Sequence, residues 1–200
     1  TSCLLPYLCA AMQNVSDNNR SSRKVAIWIL IGVAMLLIQV ILGGITRLTG
    51  SGLSITEWNV VTGTVPPLTE TKWLVEFDKY KQTPQYQLLN TDFTLKDFKF
   101  IFFWEWLHRF WARLIGIVFI IGFVYLLAKK HLKKEMIKPL LFLFLFGAFQ
   151  GAVGWIMVAS GLTGDAVYVK PTRLALHFIF ALLLIAYAFW FALQLLVPKN

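Results

Sequence analysis

The sequence predicts an all-α integral membrane protein, a bundle of four transmembrane helices with a long outward-facing first loop. Hydrophobic residues make up 58% of the 200 residues and charged residues only 14%, and the mean hydropathy is +0.65. This composition excludes an ordinary soluble domain. A bilayer core about 30 Å thick requires roughly 20 apolar residues per helix, and backbone groups in lipid must be satisfied within the helix. Four segments meet the requirement, namely 25–45, 104–128, 138–159 and 174–197.

The distribution of the net charge of +9 predicts how these helices are oriented. Basic residues cluster in the tail 1–24 and the short loop 129–137, whereas acidic and basic residues cancel in the long loop 46–103. Because loops rich in Lys and Arg face the cytoplasm, we expect the tail and the loop 129–137 inside, and the loops 46–103 and 160–173 outside. The charge thus indicates membrane lipid, and no nucleic acid, as a partner. No Arg-rich, acid-poor transit segment is apparent, which favours a bacterial inner (plasma) membrane over a mitochondrial inner membrane.

The amino-terminal tail contains an expected start site. Met12 opens a short polar and basic lead into the first span, so we expect the native chain to start there and residues 1–11, beginning at Thr1, to be non-native. Cys3 and Cys9 lie on the reducing side of the membrane, where a structural disulfide is not expected.

The first loop carries signals of local structure. Residues 43–58 (GGITRLTGSGLSITEW) are rich in Gly, Ser and Thr, which end a helix and build a hydrogen-bonded turn. Trp73, Phe77 and Tyr80 recur at helical spacing, which predicts a short interfacial helix. Thr94 resembles the N-cap of a helix that continues into the second span. Loops of this length are usually functional or disordered, and the aromatic content favours a functional one.

The third span presents small residues and one amide. Gly147, Gly151 and Gly154 follow one another at spacings of four and three, on one helix face. One interpretation is a packing seam between membrane helices, and the other is a smooth wall for a flat ring. Gln150 lies inside the span, so its amide should have a partner.

Two of the three histidines are predicted to lie at matched depth. His108 and His177 each lie in the first turns of a span that runs from outside to inside, whereas His131 lies among lysines in the cytoplasmic loop. Ionisable groups inside a membrane are functional candidates by default, although a single histidine could also bond to a neighbouring helix. Two at one depth favour a shared ligand. A lone metal ion would need further His, Cys or acidic ligands, whereas a haem iron needs only two axial imidazoles.

Other side chains are candidates for the rest of such a site. Glu105 lies three residues before His108 and shares its helix face. Arginine pairs with carboxylates such as haem propionates, and lipid phosphate or Glu105 are alternative partners. Four arginines map near the outer interface, namely Arg47, Arg109, Arg113 and Arg173. The haem-pocket candidates are Gln150, Gly151, Gly154 and Trp155.

Several motifs, in order, resemble the haem A synthase family of the mitochondrial and proteobacterial type. They are GGITRLTGSGLSITEW, VPPL, FKFIFFWEWLHR, QGAVGWIMVASGL and RLALH, and the resemblance extends from about Val25 to Ala181. It implies oxidation of the C8 methyl of haem O to a formyl group, which yields haem A for terminal oxidases. Haem O, supplied by haem O synthase, would be the substrate. By motif, Glu105 matches the functional acid of an ExxH pattern, and His108 and His177 match the ligands of the haem iron.

The resemblance also implies a second half. Family enzymes have two similar four-helix halves, of which the amino-terminal one resembles the substrate-haem site and the other holds a haem b cofactor. This sequence matches the amino-terminal half, so we expect a fragment in preference to a half-size enzyme that forms a homo-oligomer. The isolated chain is then expected to bind haem without turnover. The resemblance does not identify the electron donor.

Two other classes of function fit part of the pattern. A bis-histidine membrane cytochrome b that carries electrons would use His108 and His177 but give no reason for Glu105. A small transporter or assembly protein would use the polar residues only as structural hydrogen bonders.

Overall fold

A computed structural model of the protein describes residues 4–57 and 64–197, and for residues 4–19 it describes the backbone alone. The predicted start at Met12 and the predicted lack of a disulfide between Cys3 and Cys9 lie outside what the structure describes, as does Thr1. The described ranges contain no β-strand. They contain six helices: α1 (Leu4–Leu48), α2 (Glu70–Lys81), α3 (Pro84–Leu89), α4 (Leu95–Ala128), α5 (Lys134–Ala159) and α6 (Pro171–Leu196).

Four of these helices are long and apolar enough to cross a membrane. They are Arg20–Leu48 within α1, and α4, α5 and α6 over their whole lengths. This confirms the all-α fold class with four membrane-spanning helices. Apart from Val197, the four apolar segments found in the sequence fall inside these helices.

Helix α4 begins at Leu95, well before the predicted start of its span at residue 104, because a capping box precedes it. The Thr94 hydroxyl accepts a hydrogen bond from the Asp97 N–H at 3.4 Å. The Asp97 carboxylate accepts one from the Thr94 N–H at 2.9 Å. Such a box satisfies backbone donors that the helix leaves open. The first turns of α4 therefore extend beyond the apolar segment and can contact the first loop.

Helices α1 and α6 form the central pair of the bundle, with α4 packed on α1 and α5 packed on α6. The main apolar core lies at the end where the span Arg20–Leu48 of α1 and helix α5 begin and where α4 and α6 end. Val25, Met136, Leu140 and Ala192 are almost fully buried there. Burial of apolar side chains in that cluster holds the four helices together at one end, which leaves the opposite end available for polar residues.

The predicted helix in the first loop is present as α2, and its aromatic side chains pack against α4. The Phe77 and Tyr80 rings stack on Phe98 with centroid distances of 5.1 and 5.3 Å. Trp73 meets Phe102 edge to face at 5.0 Å. Aromatic pairs of this kind add to the energy of area burial. The loop thus forms an ordered layer on the start of α4.

The turn after α1 is hydrogen-bonded, as its composition predicts. Helix α1 ends at Leu48, and Gly50 follows with φ +66°, a conformation that favours glycine. The Gly50 carbonyl accepts a hydrogen bond from the Gln85 side chain of α3 at 3.1 Å. Ser51 and Ser54 are buried. The turn is therefore tied to the loop layer on one side and, through the contacts described below, to α4 on the other.

Candidate functional site

His108 of α4 lies against the last turns of α1. A Cβ added at Gly43 would lie 3.3 Å from His108 Nε2, so the imidazole occupies space that a side chain would fill. One turn earlier on α1, the Gln39 side-chain amide donates a hydrogen bond to the His108 main-chain carbonyl at 3.2 Å. The position of His108 is thus defined by two residues of one neighbouring helix.

His177 of α6 has the same surroundings on α5. A Cβ at Gly154 would lie 2.8 Å from His177 Cε1, closer than real Cβ atoms approach. The Gln150 amide donates to the His177 main-chain carbonyl at 2.8 Å. Gln150 therefore has the partner that its place inside a span required, and Gly154 is the glycine of the third span that meets the imidazole.

The two histidine environments lie at one end of the bundle. Gly43 and Gly154 each lie five residues before the last residue of their helices, Leu48 and Ala159. The central packing of α1 on α6 brings the two helix pairs together. The structure therefore places the two histidines that were predicted to share a depth at the same end of the bundle.

Glu105 lies one turn before His108, and it is only 2% exposed. Its Oε2 accepts hydrogen bonds from the Ser54 hydroxyl at 2.7 Å and from the Ile55 N–H at 2.9 Å. Its Oε1 pairs with Arg109 Nη2 at 2.5 Å. Charge-assisted bonds of this kind are stronger than neutral ones. The carboxylate is therefore held in one place and fastens the turn after α1 to α4.

The four arginines singled out in the sequence do not converge on one point. Arg109 donates to the Ile55 carbonyl at 3.3 Å as well as to Glu105, and it lines a cavity of about 410 Å³ together with Arg113. Arg47 lies over the Tyr168 ring, 5.5 Å from its centroid. Arg173 donates a hydrogen bond to the Ile156 main-chain carbonyl, near the end of α5, at 3.0 Å.

The remaining pocket candidates lie apart from the imidazoles. A Cβ at Gly151 would meet nothing within 4 Å, and neither would one at Gly147. Within the described part of the chain, these two glycines therefore form no packing seam with another helix. Trp155 is about half exposed and lines a separate cleft of about 330 Å³ with Lys170 and Arg173.

The residues at the paired histidines fit an iron-carrying planar ring. The described residues contain no group of three or more His, Cys, Asp or Glu side chains that could hold a metal ion by themselves, whereas a porphyrin iron takes only two imidazoles from the protein. His177 Nδ1 is buried without a hydrogen-bond partner among the described residues. A histidine that ligates iron uses one ring nitrogen and leaves the other to a hydrogen-bond acceptor, so the unpartnered Nδ1 of His177 fits a ligand of a haem iron through its other nitrogen.

Sequence reasoning missed three residues of this site. Gln39 and Gly43 contact His108, and Ser54 contacts Glu105. The signal for Gln39 was present, because an amide inside the first span requires a partner for the same reason as Gln150. The spacing from Gln39 to Gly43 also equals that from Gln150 to Gly154. No local pattern indicated that Ser54 would reach α4.

The fold and the site define a multi-pass membrane protein with two histidines, each against a glycine of a neighbouring helix, at one end of a four-helix bundle. The model of the cytochrome oxidase assembly protein family (COX15-CtaA) matches residues 26–200. The chain belongs to this family.

Curated relatives carry the name haem A synthase. The one from Flavobacterium psychrophilum is 53% identical over 183 residues, which cover 90% of this chain and 54% of the relative. The one from Rhodospirillum centenum is 50% identical over 176 residues, 88% of this chain and 47% of the relative. The one from Parvibaculum lavamentivorans is 47% identical over 188 residues, which cover 94% of this chain and 54% of the relative. The chain thus spans about half the length of these relatives. No solved structure matches the chain.

Proposed function

We propose that this chain is the substrate-haem half of a haem A synthase, which oxidises the C8 methyl of haem O to a formyl group for the haem A of terminal oxidases. The observation that carries the proposal is the pair of imidazoles, His108 and His177, each placed against a glycine of a neighbouring helix. The names of the curated relatives support it.

His108 and His177 would be the protein ligands of the haem iron. A haem supplies an iron that two imidazoles satisfy and a flat ring that needs a smooth wall. Gly43 and Gly154 support this role, because each has no side chain and so lets an imidazole pack directly against its helix. Gln150 belongs to the same pocket through its bond to the His177 carbonyl.

Glu105 is the residue we propose to act on the substrate. A carboxylate at a fixed position can shuttle protons during the reaction or stabilise positive charge that develops on the reacting carbon. Three hydrogen-bond donors hold the Glu105 carboxylate in place, one turn from His108. That arrangement supplies the orientation that acid–base chemistry needs.

The arginines differ in how well they suit haem propionates. Arg109 and Arg113 line one cavity beside α4, together with Lys72, Glu57 and Glu76. Because Lys79 pairs with both acids, the arginines of this cavity match a pair of carboxylates. Arg47 and Arg173 each contact protein groups elsewhere. We therefore favour the cavity of Arg109 and Arg113, and keep Arg47 and Arg173 as partners of lipid phosphate.

The cellular setting is proposed on the same grounds. The histidines would lie near the outer face of a bacterial inner membrane, with the tail 1–24 and the loop 129–137 in the cytoplasm. Haem O would come from haem O synthase, and an electron donor would be required. A second four-helix unit, from the same or another chain, would hold the haem b cofactor.

One observation favours a second candidate function, a bis-histidine cytochrome b. Three protein donors bond the Glu105 carboxylate, and these bonds fasten the turn at Ser54 to α4, a structural role that needs no chemistry from the acid. The paired histidines would then carry a haem that transfers electrons.

Spectroscopy and pigment extraction test these functions in sequence. The purified chain should show a Soret band, and His108→Ala and His177→Ala should each abolish the low-spin spectrum. His131→Ala is the matched control, because that imidazole bonds to Lys24 at 2.9 Å at the other end of the bundle. Absence of a Soret band in the unmodified protein would remove both haem functions. Haem A in extracts of cells that also express the second half would decide for the synthase.

A further inference from the structure

Next to each of the two histidines, a neighbouring helix carries a glutamine followed four residues later by a glycine. Residues 39–43 of α1 carry this pair against His108, and residues 150–154 of α5 carry it against His177. In both helices the glutamine binds the main chain of the histidine, and the glycine accommodates the ring. Two helix pairs of different sequence thus present the same arrangement.

The hydrogen bond from each glutamine is additional to the bonds of the helix itself. A main-chain carbonyl has two lone pairs, of which a helix uses one. The amides of Gln39 and Gln150 bond the carbonyls of His108 and His177 at 3.2 and 2.8 Å. Since the helices are already satisfied without these bonds, their consequence is to fix the rotation of each histidine-bearing helix against its neighbour.

The other end of each amide has no partner. Oε1 of Gln39 and Oε1 of Gln150 are buried and accept no hydrogen bond from the described residues. His177 Nδ1 is buried and without a partner in the same part of the chain. A buried unsatisfied group is unfavourable, and in the pair of Gln150 and His177 the orphaned acceptor and the orphaned ring nitrogen belong to two residues already in contact. An imidazole that ligates a metal almost always donates its second N–H to such an acceptor.

We propose that Gln39 and Gln150 are positioning residues for the two imidazoles that bind haem. Each amide fixes the main chain of its histidine through Nε2, and in the haem-bound protein its Oε1 would accept the imidazole N–H that does not face the iron. This bond selects the tautomer and orients the ring. The inference rests on the proposed function, because it requires haem between His108 and His177.

The test uses the purified full chain with its bound haem and the variants Gln39→Leu and Gln150→Leu. Loss of the acceptor makes the imidazole a weaker donor to iron, so the midpoint potential of the haem should rise and its low-spin EPR g-values should change. Haem should also dissociate about tenfold more readily, the lower end of the range for outer partners of metal ligands. Gln194→Leu is the matched control, since Gln194 is exposed near the other end of α6.

The outcomes separate this inference from the function on which it rests. Potentials and EPR spectra equal to those of Gln194→Leu would overturn it, even where haem content falls, because a merely structural residue would not alter the electronic state of the remaining haem. If a leucine variant does not accumulate, Gln→Met at the same position keeps the side-chain length and undergoes the same measurements. Absence of haem from the unmodified protein would instead overturn the proposed function.

Discussion

The Ser54 hydroxyl donates a 2.7 Å hydrogen bond to the Glu105 carboxylate and so joins the turn after α1 to α4. Both residues are almost fully buried, at 2% exposure each. The Ile55 N–H reaches the same oxygen at 2.9 Å. A residue one turn from a candidate ligand therefore also holds the segment that covers this end of the bundle.

Removal of that hydroxyl should destabilise the protein. Ser54→Ala leaves a buried carboxylate without one of its donors, so the free energy of unfolding should fall by about 2 kcal/mol. Denaturant unfolding in detergent measures the loss. Thr91→Ala is the control, because the Thr91 side chain is exposed. Equal stability of the two variants would show that the Ser54 bond contributes nothing.

Replacement of Glu105 by glutamine should separate haem binding from haem oxidation. Glu105→Gln leaves both histidines intact, so the low-spin haem spectrum should persist, whereas the acid that we propose to act on the substrate is lost. Extracts of cells that express this variant with the second half should contain unreacted haem O or its alcohol. Normal amounts of haem A would remove the acid from the mechanism and favour the structural role alone.

Methyl groups at the glycines should have effects that follow their surroundings. A Cβ at residue 154 would lie 2.8 Å from the His177 ring, and one at residue 43 would lie 3.3 Å from the His108 ring. Gly154→Ala should therefore disturb haem binding more than Gly43→Ala, and overpacking of this kind costs about 1–3 kcal/mol. Haem content and absorption spectra report the change.

Two glycines of the same helix serve as controls for that comparison. A Cβ at Gly147 or Gly151 would meet nothing within 4 Å. Alanine stabilises a helix interior relative to glycine by roughly 0.5–1 kcal/mol, so both variants should bind haem normally and be at least as stable. A loss of haem as large as that of Gly154→Ala would show that the contact between Gly154 and His177 does not explain the effect of that variant.

Alkaline pH should loosen the layer that α2 and α3 form on α4. Burial raises the pKa of Tyr80 above its usual value of 10.0, because the charged phenolate is disfavoured there. Since the folded-state pKa is raised, the stabilisation is fully present below about pH 10 and is lost as the pH rises through the folded pKa. Tyr80→Phe should remove this part of the pH dependence.

Ultraviolet titration of the phenolates, with unfolding followed in parallel, measures the effect. The unmodified protein should show one tyrosine that titrates later than an exposed phenol, and this late step should be absent from Tyr80→Phe. An identical alkaline transition in both proteins would mean that another group controls the loss of structure.

The predicted fold class needed only local information. Apolar length alone marks a membrane helix, since lipid leaves a segment no other way to satisfy its backbone. Thr94 and the aromatic spacing around Phe77 likewise predicted local helix, and α4 and α2 are helices there. The interpretation of Gly147 and Gly151 as a packing seam does not hold within the described residues, since a Cβ at either position would meet nothing within 4 Å. Spacing shows which residues share a helix face, but it does not show what lies opposite that face.

The candidate site could be predicted in part from the sequence and in part only from the tertiary structure. The matched depth of His108 and His177 was predicted by counting residues along spans of predicted direction, and the structure has both at one end of the bundle. Sequence could not show that Gln39 binds the His108 carbonyl or that Ser54 binds Glu105, since these contacts join residues far apart in the chain. Their distances depend on how α1 and α4 rotate against each other, which only the packing of whole helices decides.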